Sequence, residues 1–288
     1  MDEPTGPTSP VVDRRRLARE LRRLRTQANR TIYEVAARLE CSPGKISRIE
    51  TGVVGAQSRD VRDLLDLYEV NGEERELLLD LVRGARKRAW WHDFTDVVPP
   101  ASARFYGLEA GAATISGYSC TPLVPGLLQT VAYAHALVGG VGADEDVVAR
   151  RLELRVRRKE LLSRTEGAPH VRFIISEAAL QARVGGPQVL ADQLRHLTEV
   201  SNRPNVTIQV MPIETGAHLA IGTVFTMFGF PDHADQHIVY LEQLAGNAYV
   251  EKPEEVAVYA AALAEATDLA LDPEESRRLV ARRSGSIH

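Results

Sequence analysis

Across residues 13–90, apolar side chains recur at spacings of three and four; beyond about residue 100 that rhythm gives way to short runs and alternations. Leu17, Leu21 and Leu24 form one stripe among arginines, which predicts an amphipathic helix. Thr31 stands before Ile32, with Glu34 three positions after it, so hydroxyl and carboxylate can satisfy amides of a first helical turn. Val35, Ala36 and Leu39 are the buried face of that second helix. Ser42-Pro43 opens a short third helix, serine as N-cap and proline at the first helical position, with Ile46 and Ile49 inward and Gly52 placed to end it. Ser58 is expected to cap a fourth helix through Leu64, Leu65, Leu67 and Tyr68. Asn71-Gly72 breaks it, and a fifth runs from Glu73 towards Trp90-Trp91.

Past Pro99-Pro100 strand-like runs alternate with helical patterns. Strands are predicted at 114–119, 171–176, 206–211, 223–230 and 237–244. Helices are predicted at 128–138, 145–164, 187–201, 254–270 and 273–283. The fold class is therefore an all-α five-helix helix-turn-helix head followed by a larger α+β domain with a mixed or antiparallel sheet. The expected boundaries are a disordered tail at 1–12, the head at 13–90, a hinge at 91–100 and the body at 101–284.

Charge sharpens this division. The 288 residues are 44% apolar and 26% charged, ordinary for globular chains, and the net charge of -4 taken alone argues against a nucleic-acid partner. Residues 13–50, however, hold 11 Lys/Arg against 5 Asp/Glu. A basic head on an acidic body points to nucleic-acid binding by the head, the body repelling the duplex and orienting the head towards it. Two cysteines, Cys41 and Cys120, exclude a disulfide framework and fit a reducing compartment. The acidic, Pro-rich start carries no signal-peptide pattern, and no apolar run approaches the ~18 residues of a membrane span. The expected location is cytoplasmic and nucleoid-associated.

Two helices joined by Glu40-Cys41-Ser42, the second short, capped and polar outside, have the geometry for entering a major groove. The groove admits one helix and is read by side chains near its start, where Ser42, Gly44, Lys45, Ser47 and Arg48 stand. Arg48 has the fork to pair with guanine. The start of the preceding helix, at Thr31, offers amides and a positive dipole end to a phosphate. Arg14, Arg15, Arg16, Arg19 and Arg30 supply the sequence-independent attraction.

The strings Leu-Arg-Arg-Leu-Arg, Thr-Ile-Tyr-Glu-Val-Ala-Ala-Arg-Leu and Ser-Pro-Gly-Lys-Ile-Ser-Arg-Ile-Glu-Thr-Gly make residues 13–70 resemble the Xre (Cro-like) five-helix repressor domain. The remainder resembles the large uncharacterised C-terminal domain attached to such heads in many actinobacterial regulators. The matching stretches are Gly-Leu-Glu-Ala (107–110), Leu-Val-Pro-Gly-Leu-Leu-Gln-Thr (123–130), Val-Gly-Gly-Pro (184–187), Asn-Val-Thr-Ile-Gln-Val-Met-Pro (205–212) and Pro-Glu-Glu-Val (253–256). The resemblance implies a structural ion pair between Arg25 and Glu50, DNA-facing positions at Ser42, Pro43, Gly44, Lys45 and Arg48, and, for some members, a small acidic partner protein encoded nearby. Two departures stand out. Ile32 replaces a glutamine that braces the recognition helix and touches phosphate. Glu40 replaces a glycine in a turn that needs positive φ, a conformation mildly strained for any other residue. Pro43 and Gly44 also remove side chains that read bases, so affinity leans on arginine–phosphate contacts and DNA shape.

These patterns predict a homodimeric DNA-binding transcription regulator, with double-stranded DNA as partner, no cofactor, no metal and no enzymatic activity. A small-molecule-responsive regulator, with 123–128 and strands 206–229 walling an apolar pocket, is a second reading. A DNA-targeted enzyme is a third, disfavoured because no nucleophile–base pair or metal set sits at usable spacing. His233 and His237 read as surface histidines, His218 as a turn residue, and Cys120 as a small core residue. Trp90-Trp91-His92 reads as a hydrophobic hinge packing the fifth helix on the body, in preference to a stacking site or a dimer anchor.

Overall fold

The computed structural model describes residues 9–140, 144–232, 235–243 and 246–287. The described residues form two compact units: one takes residues 9–93 together with Ser102–Gly111, the other Phe94–Ala101 and those from Ala112 onward.

The first unit is the helical head. Its helices are α1 (Pro10–Gln27), α2 (Ile32–Arg38), α3 (Pro43–Glu50), α4 (Ser58–Leu67) and α5 (Gly72–Ala85). The first of these begins earlier than the sequence pattern indicated. Ser9 is its N-cap, accepting from the Val12 amide at 3.3 Å while its hydroxyl donates to the Gly107 carbonyl at 2.5 Å. Residues 9–12 are thus helix and cap rather than tail; residues 1–8 lie outside the described residues. In α4 the cap position falls on Gln57, and Ser58 is the first helical residue.

Leu17, Leu21 and Leu24 from α1 meet Val35 and Ala36, Ile46 and Ile49, and Val61, Leu64 and Leu65 in one core. Four successive helix ends share one stop. The residue after the cap turns left-handed (Asn29 φ 51°, Glu40 φ 50°, Gly52 φ 68°, Glu69 φ 58°), and the next amide reaches back five residues, as in Cys41 N to Ala36 O at 2.9 Å. This closure satisfies carbonyls that a helix end leaves open.

A further helix, α6 (Pro100–Ala110), lies almost wholly in this unit. Its Ala103, Tyr106 and Ala110 pack with Ala89, Trp90, Trp91 and Val11, and Trp91 is buried. The Trp90–Phe94 stretch is a 3₁₀ turn. The tryptophans pack on α6, whose residues the sequence reading counted with the body and which here belong almost wholly to the first unit.

The second unit is an α+β domain built on a six-stranded mixed sheet of order β3-β2-β1-β4-β5-β6. Its strands are β1 (Thr114–Ser119), β2 (His170–Ser176), β3 (Val206–Met211), β4 (Val224–Gly229), β5 (Ile238–Gln243) and β6 (Gly246–Val250). Strands β1, β2 and β3 run parallel, and β4 to β6 add antiparallel pairs to the other side of β1. Helices α7 (Val131–Val138), α8 (Glu145–Lys159) and α9 (Pro187–Val200) connect the parallel strands, and α10 (Pro253–Leu269) and α11 (Pro273–Gly285) follow the sheet.

Tyr118, Ile174, Phe225 and Val239 point to one face and are covered by Val256, Ala262, Leu263 and Ala266 of α10. The outer edge of β3 is closed rather than left as a template for another chain: Leu271 N donates to Val210 O at 3.0 Å, and Val210 N to Ser276 Oγ at 2.9 Å.

The Leu-Val-Pro-Gly-Leu-Leu-Gln-Thr string is a latch between helices. Val124, Leu127 and Leu128 are buried. Gln129 donates to Val124 O and accepts from Arg155, each at 2.7 Å, and Lys159 donates to its carbonyl at 2.8 Å. The fully buried Gln193 of α9 donates to Leu128 O and accepts from Thr130 N.

Candidate nucleic-acid interface

Helix α3 owes its place to Ile46 and Ile49, 1% and 2% exposed, which turn the opposite side outward. Ser42 Oγ accepts from Lys45 N at 3.2 Å and fixes the helix start. Ser42, Pro43, Gly44 and Arg48 are exposed, Lys45 and Ser47 half-buried. Arg48 has no ion-pair partner among the described residues. Lys45 does have one: its ammonium lies 2.7 Å from Asp60 Oδ1, on the first turn of α4.

Between α2 and α3, Glu40 adopts a left-handed backbone that favours glycine. Arg25 and Glu50 tie α1 to the end of α3. Arg25 Nε and Nη2 donate to Glu50 Oε1 and Oε2 at 2.8 and 2.9 Å, and Nη1 donates to Arg30 O at 2.8 Å. The Glu50 side chain is 4% exposed, so the fork of Arg25 is what makes a carboxylate tolerable there. Beside this pair the buried Tyr68 hydroxyl finds no hydrogen-bond partner; burial, then the nearby Glu50 charge, push its pKa far up.

Thr31 caps α2 as its spacing predicts, but the cap occupies groups that the sequence reading offered to a phosphate. Glu34 Oε2 accepts from Thr31 N at 2.7 Å and from its hydroxyl at 2.9 Å, while Glu34 N donates to Thr31 Oγ1 at 3.2 Å. These bonds hold the exposed Glu34 carboxyl below the usual range. Of the first-turn amides, those of Ile32 and Tyr33 stay open, beside a negative charge.

The arginines are less uniform than their count. Arg14, Arg15 and Arg16 are half-buried on α1, where Gly52 packs so closely that a Cβ there would touch Ala18 at 3.6 Å. Arg19 and Arg23 bind Glu20, and Arg23 also reaches Glu74 at 2.6 Å. Among the described residues, Arg14, Arg22, Arg30, Arg38 and Arg48 have no ion-pair partner. Arg30 and Arg38 line an open groove of about 530 Å³ shared with Glu40, Asp63, Asp66 and Glu69. Arg22, Arg38 and the 74%-exposed Tyr33 were not singled out in the sequence. Their signal, exposure on a helix face, is a property of the packed unit.

Outside the head, His218 Nδ1 bonds Gly216 O at 3.0 Å, which leaves Nε2 to accept from the Tyr118 hydroxyl at 2.7 Å. His237 lies against Gly229, and His233 falls outside the described residues. Cys41 and Cys120 are unpaired and half-buried. Among the described residues no group of three metal-binding side chains assembles, and no helix is long and apolar enough to cross a membrane.

Comparison with known proteins gives two matches, the second of which begins within α6. Residues 16–78 match the model of a helix-turn-helix domain, and residues 102–282 match that of a domain of unknown function, DUF5753. No curated protein and no solved structure is significantly similar to the chain.

Proposed function

From the premise that this chain belongs to the DUF5753 family and carries an N-terminal helix-turn-helix domain, we propose that it is a sequence-specific, DNA-binding transcription regulator. The observation that carries this reading is α3 itself: a serine-capped helix fastened by Ile46 and Ile49, presenting the unpaired Arg48 to solvent. In this reading α3 enters the major groove of double-stranded DNA. Ser42, Gly44, Ser47 and Arg48 face the bases, Lys45 stands where base edges and phosphate are both within reach, and an Arg48–guanine pair contributes about 1–3 kcal/mol of discrimination. Arg14, Arg15, Arg16, Arg30 and the open amides after Thr31 face phosphates. Arg25 and Glu50 hold α3 in register without touching the duplex.

The body, in this reading, joins two copies of the chain, which sets two recognition helices about 34 Å apart. It also takes the signal, by docking a protein partner such as a small acidic one. The Xre-like character of the head and a site of action on the nucleoid belong to the same proposal.

An electrophoretic shift series on host DNA tests it. Wild type should retard a subset of fragments in a salt-sensitive way, and an Arg48→Ala/Lys45→Ala variant should lose that selection. Equal, salt-insensitive retardation by both proteins rejects the mechanism.

A further inference from the structure

In the head, one acidic side chain sits among the groups assigned to the duplex and does no evident structural work. Asp60 stands on the first turn of α4, fifteen positions beyond Lys45, and takes its ammonium at 2.7 Å. The Lys45 side chain is 40% exposed, so the pair is open to water and adds little to folding. Nor does α4 need it as an anchor, because Val61, Leu64 and Leu65 are each at most 1% exposed in the core. Asp60 itself is only 18% exposed, tucked where it meets lysine rather than solvent.

We propose that Asp60 is a positioning residue for DNA binding: its carboxylate holds the Lys45 ammonium against α4 and withholds it from phosphate. The inference rests on the DNA-binding reading above. A lysine on four flexible carbons reaches either acceptor, and a phosphate must displace Asp60 to gain the contact. Lys45 is then a conditional cation. It adds nothing to loose, backbone-only association, because the carboxylate beside it cancels the charge it offers. It engages only where a well-seated duplex brings an acceptor closer than Asp60. The carboxylate thereby trades affinity for indiscriminate DNA against selectivity.

The experiment uses the full chain and a labelled random-sequence duplex of about 30 base pairs, three helical turns. Dissociation constants are measured against salt for wild type, Asp60→Asn, Lys45→Ala and the double variant. Asp60→Asn should bind roughly three- to tenfold tighter at about 0.1 M salt, with the log–log salt slope steeper by about one, the value for one added phosphate contact. In the Lys45→Ala background the same change should leave the slope where it was. An unchanged slope in Asp60→Asn overturns the proposal, as does an equal gain in both backgrounds, since either means Asp60 does not act through Lys45. Weaker binding by Asp60→Asn, with an unchanged melting temperature, also overturns it and makes the carboxylate a direct DNA contact. Absence of salt-dependent binding by wild type overturns the DNA-binding reading itself, and this inference with it.

Discussion

At the level of single residues, two of the head's buried acids, Glu50 and Asp13, have opposite accommodations. Glu50 is neutralised by a two-pronged guanidinium, and removing one partner leaves the other desolvated and alone. Arg25→Ala should therefore cost about 3–5 kcal/mol in denaturant unfolding. Tyr68→Phe, beside it, should be neutral or stabilise by up to about 1 kcal/mol, because the hydroxyl it removes has no partner. Asp13 has no such guard. Burial raises its pKa to about 6, against weaker opposing pulls from Lys87 and Arg16, and its carboxylate lies against Gly84 of α5. The folded chain thus binds this proton more tightly than the unfolded chain, whose pKa is near 3.8. The stabilisation is complete below pH 3.8 and is lost as pH rises through 6. Asp13→Asn should accordingly gain on wild type as pH goes from 4 to 7, by roughly 2–3 kcal/mol in urea midpoints; a gap constant with pH refutes the assignment. The Arg25–Glu50 pair was anticipated from family pattern, whereas the Lys45–Asp60 pair was not. Fifteen residues and a loop separate those two, and no periodicity links them.

For whole elements, the sequence was most informative where backbone propensity and burial agree. Strands β1 and β3 begin and end where their runs of Thr, Ile, Val and Met predicted, and α9 to within one residue. Two elements escaped. Helix α6 starts on the second residue of a double proline read as hinge, and its Gly107, with Gly111 just beyond its end, serves close packing on Val11 and Val12 rather than a helical stripe. Strand β6 is short, starts with Gly246 at φ 150° and lies at the sheet edge, where alternation carries no burial signal. The turn before α3 shows the reverse case, a local cost visible in both sequence and structure. Glu40 occupies a left-handed backbone that favours glycine, so Glu40→Gly should raise stability by about 0.5–1 kcal/mol, read as a shift in denaturant midpoint with the slope unchanged. In the sheet, Gly117 leaves the space that the Phe173 ring fills, since a Cβ there would collide with it. Gly117→Ala should destabilise by about 1–3 kcal/mol through overpacking. A neutral result in thermal unfolding would mean that the ring moves aside.

Over the whole molecule, charge must be counted after pairing. Residues 13–50 hold eleven basic side chains; Arg19, Arg23, Arg25 and Lys45 are already in ion pairs, and five arginines have no ion-pair partner among the described residues. Two of those five line a groove rich in carboxylates. Each phosphate neutralised contributes about 0.9 to the salt slope, so one head should show a slope of roughly -3 to -5 rather than the -10 that the raw count suggests. Binding isotherms between about 0.05 and 0.3 M salt decide between these values. The composition pointed to a basic head but overstated its strength, because ion pairing is a property of the fold.

The route of the backbone has a practical corollary. The chain leaves the head unit at Asp93, returns to it at Ser102 and departs again after Gly111. The head is consequently not a cassette that one cut can release. A fragment ending near residue 90 keeps α3 but loses Trp91 and the whole of α6, and strips the partners from Val11, Ala89 and Ser9. On the DNA-binding reading, a new specificity is therefore better introduced by changing exposed positions of α2 and α3 within the intact chain, leaving α1, α5 and α6 in place. A junction chosen from the sequence boundary alone would divide a single core between two genes.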